Sequence, residues 1–474
     1  MRKRTMMAMI VMLVGCGTAT TPGAGGNPDG GSVLSGDAEL FAQASQDYQS
    51  KRYTVARGEF QDLLTRFPDS GFADQSTVYI AIIDYFLGNP TAARNELKAF
   101  FQKYTHSTDA DRAQYWLGRC DYALADYSTA LTDLQAALAN YPSSNYRDNA
   151  QFWVGRCYYN LTPPDYANAL QAFQKVVADY SKGTAAPEAQ YWIGRTYFEM
   201  KDYSTARTEL NKQLTVYPGS AYEDVVNLYL ARCDFETAIA MTPTTSAQAA
   251  ALFGQARTRL QTVISSFPSS QELDNATYWL GRSIFELLDY SGAQAQFEHL
   301  IQAWPQSKVA DNASYWIGRC FFGRSLWQQA LTQLQTTEQN YPNSNVRDWV
   351  AFYIGRCQFQ LADYPSSEST LKRQLTTWPS SAAAAGAHYW LGRAEYAQGK
   401  LTEALAEFRT VVDSYPTSDW ADNTYHYLVR TYADLNQCSN ADAAYAQYKQ
   451  AFPASSFLSS ACTYRQGKCG GSCP

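Results

Sequence analysis

The chain has 474 residues, of which 46% are hydrophobic and 17% are charged, and its formal net charge is −6. Without the basic residues Arg2, Lys3 and Arg4 the charge is −9 (−6 − 3), so bulk electrostatics do not favour a nucleic-acid partner. Beyond the N-terminal apolar stretch, no segment is apolar enough to cross a membrane.

Residues 1–15 have the composition of a secretory leader: three basic residues precede a short apolar core, too short to span a bilayer as a mature helix. The following Leu13-Val14-Gly15-Cys16 resembles the lipobox of bacterial lipoproteins. The resemblance implies cleavage before Cys16, acylation of Cys16 and, with Gly17 in place of aspartate, sorting to the outer membrane. An ordinary signal peptide with a chance cysteine is the alternative.

Residues 17–36 are rich in Gly, Pro, Thr and Ser and have no apolar pattern. They predict a flexible tether of roughly 25 Å average length, which would hold the following domain near the bilayer. We therefore expect a leader at 1–15, an acylated cysteine and tether at 16–36, a repeat domain at 37–453, and a capping helix with a cysteine-rich tail at 454–474.

The repeat domain is marked by an aromatic residue followed by proline, or a relic of that pair. Of the ten intervals between successive markers, eight are 37 residues, one is 39 and one is 50. A fixed period of this length is typical of a solenoid, which offers a long surface to partners and rarely a catalytic pocket. The markers are Phe67, Tyr104, Tyr141, Tyr180, Tyr217, Phe267, Trp304, Tyr341, Trp378, Tyr415 and Phe452.

Each repeat unit predicts two amphipathic helices. In residues 113–144, apolar residues recur at i, i+4, i+7 and i+11 from Ala113, which indicates one helix. Asp126-Tyr127 makes a turn, a second apolar stripe runs to Tyr141, and Pro142 ends it. The stripes cannot be covered within one unit, so the units must stack.

This pattern resembles the tetratricopeptide repeat. In the unit above it is Ala113, Leu117, Gly118, Tyr122, Asp126, Tyr127, Ala130, Ala137 and Pro142. Its variant with a longer loop is similar to repeats of bacterial envelope proteins such as the barrel-assembly lipoprotein and the TolA-binding protein. The resemblance implies an all-α fold of about 11 helix pairs wound as a right-handed solenoid.

An insertion of 13 residues, the excess of the 50-residue interval over 37, lies in the sixth unit. We predict a loop from Met241 to Ser246, with Ser246 capping the next helix and both flanking helices lengthened. A tolerated loop insertion and a partner-specific protrusion are both compatible with it.

The other nine cysteines form two groups. Five occupy one small repeat position and are predicted to be buried and free: Cys120, Cys157, Cys233, Cys320 and Cys357. Cys438, Cys462, Cys469 and Cys473 cluster near the C-terminus, where an oxidising compartment would pair them. Three connectivities are possible. We favour Cys438–Cys462 with Cys469–Cys473 over a zinc site.

The sequence shows no enzyme motif, because the four histidines occupy different repeat positions and no phosphate loop or nucleophile elbow occurs. We expect no catalytic residue, metal or cofactor.

One column of arginines is the candidate binding site, since arginine follows the repeat glycine position nine times. These are Arg119, Arg156, Arg195, Arg232, Arg282, Arg319, Arg356, Arg393 and Arg430. Four residues earlier there is usually a large aromatic residue, including Tyr115, Tyr191, Tyr278, Tyr315 and Tyr389, and tryptophan often stands between. In the tetratricopeptide repeat this face of the first helix lines the concave groove, where arginine suits carboxylates and extended peptides.

A structural explanation is favoured over ligand binding, because each arginine could pair with an aspartate in the first turn of an adjacent repeat and stack on its own tyrosine, and a ligand site seldom needs nine copies. Both explanations can hold in different repeats. Those aspartates include Asp74, Asp111 and Asp311.

The leading hypothesis is a non-enzymatic, lipid-anchored scaffold on the periplasmic face of the outer membrane. Its partners would be envelope proteins or peptides, with roles in outer-membrane assembly, secretion, motility or Tol–Pal-like coordination. A peptidoglycan-binding protein is the alternative.

Overall fold

A computed structural model describes residues 36–241 and 246–472. Cys16, the leader, the tether, most of the predicted insertion loop and Cys473 lie outside the described residues. The described residues form 23 α-helices and no strand, which confirms the predicted all-α fold. None of these helices is both long and apolar enough for a membrane span. The chain divides into two compact units, Met1–Thr237 and Ala238–Pro474.

In the first unit, the first ten helices pack in succession along the chain, each against its neighbour in this series. The described helices, including α11 at the boundary, are α1 (Gly36–Gln49), α2 (Tyr53–Arg66), α3 (Ala73–Phe86), α4 (Pro90–Lys103), α5 (Ala110–Ala123), α6 (Tyr127–Asn140), α7 (Arg147–Asn160), α8 (Tyr166–Asp179), α9 (Ala186–Glu199), α10 (Tyr203–Val216) and α11 (Glu223–Ile239). The first helices of neighbouring pairs also touch, as α5 does with α3 and α7.

The second unit repeats this packing from α12 to α23. Its helices are α12 (Ala247–Ser266), α13 (Leu273–Glu286), α14 (Tyr290–Ala303), α15 (Ala310–Gly323), α16 (Trp327–Asn340), α17 (Arg347–Gln360), α18 (Tyr364–Thr377), α19 (Ala384–Ala397), α20 (Leu401–Ser414), α21 (Ala421–Asp434), α22 (Cys438–Ala451) and α23 (Leu458–Cys469). Here the first helices of successive pairs again touch, from α15 to α23.

The pair α5–α6 shows why the sequence folds this way. α6 buries Ala130, Leu134 and Ala137 on one face, the stripe that its periodicity predicts. Between the helices Ala125 adopts a left-handed conformation (φ 61°), and the Asp126 carboxylate caps α6 by accepting a hydrogen bond from the Thr129 amide at 3.2 Å. The two helices therefore turn back on each other within three residues.

The repeat glycines are packing residues. A Cβ placed on Gly118 would lie 2.6 Å from Cγ of Leu134 in the partner helix, and one on Gly155 would lie 2.6 Å from Cε1 of Phe173. Since real side chains do not approach so closely, glycine lets the two helices of a pair come together at this level.

The helices that flank the insertion are longer than the 14-residue helices of most pairs. α11 has 17 residues and α12 has 20, as the sequence predicts. The Ser246 hydroxyl accepts a hydrogen bond from the Ala249 amide at 3.2 Å, which confirms the predicted N-cap.

The C-terminal cysteines pair differently from the prediction. Cys438 is bonded to Cys469, with a Cα–Cα distance of 5.5 Å, so the favoured pairs Cys438–Cys462 and Cys469–Cys473 are both wrong. α22 begins at Cys438 and α23 turns back beside it, so the last residue of α23 comes level with the first residue of α22. Cys462 lies seven residues earlier, about 10 Å along the helix axis. Cys462 is itself disulfide-bonded.

Candidate functional site

The nine arginines of the predicted column lie on the first helix of successive pairs, and we call them the arginine ladder. Each guanidinium is placed among aromatic rings of its own repeat and of neighbouring repeats. The repeat spacing explains this arrangement: an aromatic residue follows three positions after eight of the nine arginines, and the tryptophan column lies three positions before. Stacking of the first helices brings these positions together.

Arg119 shows the contacts in the first unit most completely. Its Nη1 donates to the Tyr115 hydroxyl at 2.8 Å and its Nη2 donates to the Tyr85 hydroxyl of the preceding repeat at 3.0 Å. Its Cζ lies 3.9 Å from the centroid of the Trp153 ring in the following repeat. Burial alone would lower the pKa of Arg119, but the hydroxyls of Tyr115 and Tyr85 outweigh it and the pKa is raised. One side chain thus joins three repeats.

Arg156 repeats this arrangement one pair later. Its Nη2 donates to the Tyr122 hydroxyl at 2.8 Å, and its Cζ lies 4.0 Å from the centroid of Trp192 in the next repeat. Glu188 lies 3.8 Å from Nη1. A desolvated guanidinium over an indole ring contributes about 2 kcal/mol, so each such contact is a substantial link between repeats.

The second unit builds its own part of the ladder in the same way. The Cζ of Arg282 lies 3.9 Å from the Trp316 centroid, and that of Arg319 lies 4.2 Å from the Tyr353 centroid. The last rung, Arg430, lies 4.3 Å from the Tyr464 centroid in α23. Gly467 of α23 stands where the next arginine would come, so α23 covers the last rung and ends the ladder.

Burial decides which ladder arginines a ligand can reach. Arg119 is 2% exposed and Arg156 is 4% exposed, so neither is open to a ligand. The tyrosines predicted to flank a groove are buried as hydrogen-bonding partners or packing neighbours of the arginines. These are Tyr115, Tyr191, Tyr278, Tyr315 and Tyr389. This corrects the predicted groove site, because the aromatic rings and two of its arginines belong to the interior. The other seven arginines are half-buried.

Five aspartates of the first turn bond to serine hydroxyls of the following loop, a role that the structural explanation considered from sequence did not include. The Ser107 hydroxyl donates to Asp74 at 2.6 Å. The same bond, always over 33 residues, joins Ser70 to Asp37, Ser307 to Asp274, Ser381 to Asp348 and Ser455 to Asp422. These carboxylates therefore hold the loop that leads into the next repeat. Ion pairs of ladder arginines include those of Arg156 with Glu188 and of Arg282 with Glu286.

A second set of inter-repeat contacts was missed from the sequence. The Arg57 guanidinium donates two hydrogen bonds to the Asp84 carboxylate, 2.7 Å and 2.8 Å long. The same pairing over 27 residues joins Arg94 to Asp121 at 3.2 Å and Arg207 to Asp234 at 2.9 Å. The sequence does contain a signal for this pairing, because in the first unit the two positions 27 residues apart vary together. Where the first position is arginine in this unit, the second is aspartate. Where the first is Leu131 or Leu170, the second is Tyr158 or Tyr197.

The cysteine column lies in the interior. Its five cysteines are free and buried, and burial raises the pKa of each thiol to about 12. Such thiols carry little thiolate at neutral pH and are poor nucleophiles and ligands. Among the described residues, no group of three or more His, Cys, Asp or Glu side chains is placed to hold a metal ion.

Comparison with known proteins matches most of the repeat array. The outer membrane lipoprotein family matches residues 35–126 and 155–271. Tetratricopeptide-repeat families match residues 280–345 and 352–419, and residues 112–144. None of the curated proteins matches the chain.

Comparison with solved structures gives matches at low identity. The C-terminal part of a tetratricopeptide-repeat protein from Cytophaga hutchinsonii is 19% identical, with a TM-score of 0.42, over 58% of this chain and 98% of that one. A tetratricopeptide-repeat protein from Parabacteroides merdae is 14% identical, with a TM-score of 0.43, over 61% of this chain and 100% of that one. The Cut9–Hcn1 hetero-tetramer of APC/C matches at 13% identity and a TM-score of 0.38, over 91% of this chain and 90% of that chain.

The helix pairs, their packing glycines and the family matches agree along the chain. This chain contains tetratricopeptide repeats and is similar to outer membrane lipoproteins.

Proposed function

We propose that the protein is a non-enzymatic scaffold of the bacterial envelope, anchored to the outer membrane through Cys16 and facing the periplasm, which holds partner proteins. The observation that carries this proposal is the repeated outer surface of the second helices. In α6, Ala130, Leu134 and Ala137 are buried while Ser128 and Gln135 on other faces are exposed. Similar stripes recur pair after pair and offer a long polar surface that suits an extended partner.

The similarity to outer membrane lipoproteins supports the location. The leader and Cys16 supply the chemistry for anchoring, since stable attachment takes more than one acyl chain. The processes proposed for it are barrel assembly, secretion, motility or Tol–Pal-like coordination, and the repeat surface is compatible with each of them.

The peptidoglycan alternative loses the feature on which it depended. Its binding surface was to be the aromatic-rich groove, but Trp116, Trp153, Trp192, Trp316 and Trp390 are buried between repeats. Sugar rings need exposed aromatic faces on which to stack, so this column favours a structural role.

The test is chemical crosslinking of the lipidated protein in its native envelope, followed by identification of captured proteins, with Cys16→Ser as the matched unanchored control. We expect defined envelope proteins on the wild type and their loss from the control. The proposal would be contradicted if the protein captured no envelope proteins and instead sedimented with purified peptidoglycan.

A further inference from the structure

The Arg356 side chain makes no hydrogen bond within the described residues. Unlike the other ladder arginines of the second unit, it also has no tyrosine either four or 34 residues before it. Arg282 and Arg319 donate to tyrosines one turn earlier in their own helices, at 3.4 Å and 3.0 Å. Arg393 and Arg430 have the hydroxyls of Tyr389 and Tyr464 nearby, the first one turn earlier in the same helix and the second in α23. At the two corresponding positions around Arg356 stand phenylalanines, Phe352 and Phe322. Within the described residues Nε of Arg356 is buried without a partner, as is Nε of Arg393 and of Arg430.

The charge of Arg356 is also uncompensated. No carboxylate of the described residues forms an ion pair with it, and burial, reinforced by the nearby Arg319 guanidinium, lowers the pKa of Arg356 despite the opposing effect of Tyr353. A half-buried charge that has lost part of its hydration gains strongly from a bound counterion.

Aromatic rings surround this guanidinium on several sides. Its Cζ lies 4.6 Å from the Phe322 centroid, 5.0 Å from both the Tyr353 and Trp390 centroids, and 5.5 Å from the Trp420 centroid. Rings hold a cation and can stack on a planar ligand, but they offer no strong acceptor in the plane of the guanidinium.

Trp420 can lie beside Arg356 because the first turn of α19 departs from the repeat pattern. It precedes α21, two repeats after Arg356, and stacks on Tyr389 with centroids 5.2 Å apart. A Cβ on Gly386 would lie 2.7 Å from the Trp420 Nε1 and 2.9 Å from the Phe352 Cζ. The first turn of α19, Ala384 to Gly386, thus has small residues where other repeats carry an aspartate, and these make room for the added ring.

We propose that Arg356 and its surrounding rings form a docking site for a carboxylate group of a partner protein. The inference rests on the scaffold function proposed above and deepens it. The planar fork of arginine pairs with a carboxylate through two parallel hydrogen bonds, and its single charge matches a carboxylate better than a dianionic phosphate. The half-buried side chain keeps part of its surface open to solvent, so a partner can reach it.

Isothermal titration of the full chain with three acetylated tripeptides tests the site. The probes are Gly-Ala-Ser with a free C-terminal carboxylate, the same peptide as its amide, and Gly-Glu-Ser amide with only a side-chain carboxylate. We expect a carboxylate probe to bind at least tenfold more tightly than the uncharged amide at low salt, and the better of the two identifies the source of the carboxylate. Equal binding of all three, no binding, or tighter binding of inorganic phosphate at matched ionic strength would overturn the assignment.

Three variants locate the effect. Arg356→Gln should weaken carboxylate binding at least tenfold, and Phe322→Tyr should do the same by giving Arg356 an internal acceptor, as Tyr85 does for Arg119. Because Phe322→Tyr satisfies a buried donor, its thermal midpoint should equal or exceed that of the wild type, which separates lost binding from lost folding. Arg409→Gln removes the same charge from an exposed site of the second unit and should bind like the wild type. Wild-type affinity in Arg356→Gln would refute the site.

Failure of this site leaves the scaffold testable by itself. If the wild type captures envelope proteins but binds no carboxylate probe, only the docking site is wrong. If it captures none and binds the probes, the scaffold function is wrong and the anion site stands.

Discussion

The buried pair Arg94–Asp121 gives the sharpest prediction about how neighbouring repeats are joined. Asp121 has no exposed surface and Arg94 lies 3.2 Å from it, with its side chain 28% exposed. Arg94→Leu leaves the carboxylate buried without its partner, which costs about 3–5 kcal/mol. Protonating the unpaired carboxylate does not avoid this cost at pH 7, because neutralising an ordinary aspartate at that pH takes about 4 kcal/mol. We therefore expect Arg94→Leu to lower the free energy of unfolding of this region by about 4 kcal/mol at pH 7 and by clearly less at pH 5.

The chain supplies its own compensated control. Where Leu131 and Leu170 replace the arginine, Tyr158 and Tyr197 replace the aspartate, and all four pack against the core of the first unit. The double variant Arg94→Leu with Asp121→Tyr should therefore recover at least half of the loss. Breaking a buried ion pair is costly, whereas replacing both partners by packed groups is often neutral.

Hydrogen exchange of the amides in α4 and α5 is the suitable assay, because long repeat arrays do not unfold in two states and a global midpoint would blur a local effect. A loss below about 1 kcal/mol in Arg94→Leu, or a double variant no more stable than the single one, would refute the reasoning.

Three further predictions concern other inter-helix contacts. Burial and the neighbouring Asp84 raise the pKa of Glu96 to about 7, and burial with Asp121 raises that of Asp133 to about 6. Raised carboxyl pKa values favour the folded state when protonated, so the first unit should gain stability as pH falls from about 7 towards 5, and Glu96→Gln with Asp133→Asn should flatten that dependence in hydrogen exchange. Cys438→Ser with Cys469→Ser opens a loop of 31 residues. The double variant should lose about 3–4 kcal/mol of stability and show faster hydrogen exchange in α23. Unchanged protection of α23 would contradict the idea that the disulfide holds α23 in place. Gly118→Ala should lower the thermal midpoint because its Cβ meets Leu134, whereas Gly254→Ala, with open space around it, should raise stability by about 0.5–1 kcal/mol; the same sign for both would contradict the packing explanation.

The period of the sequence determines much of this structure, because the same local pattern is repeated. Apolar spacing and the proline after Tyr141 are enough to predict the helices, and the repeat glycine signals their close approach. The role of the ladder could not be read in the same way. Whether Arg119 faces aspartate or tyrosine depends on how far adjacent helices are offset, and the structure pairs it with Tyr115 and Tyr85.

Features that break the repeat were the least predictable. Trp420 lies outside the aromatic column and reaches Arg356 across two repeats, so no local pattern signals the contact. The Cys438–Cys469 pair depends on the level at which α23 ends beside α22. Three-dimensional alignment, rather than spacing along the chain, decides both.

The central claim is that ladder arginines bind neighbouring repeats together through their aromatic partners. A double-mutant cycle on Arg119 and Trp153, whose Cζ and ring centroid lie 3.9 Å apart, tests it most directly. The variants are Arg119→Met, Trp153→Leu and their combination, compared by hydrogen exchange in α5 and α7. The account predicts a favourable coupling energy of about 1–2 kcal/mol between the two side chains; losses that simply add, to within about 0.5 kcal/mol, would contradict it.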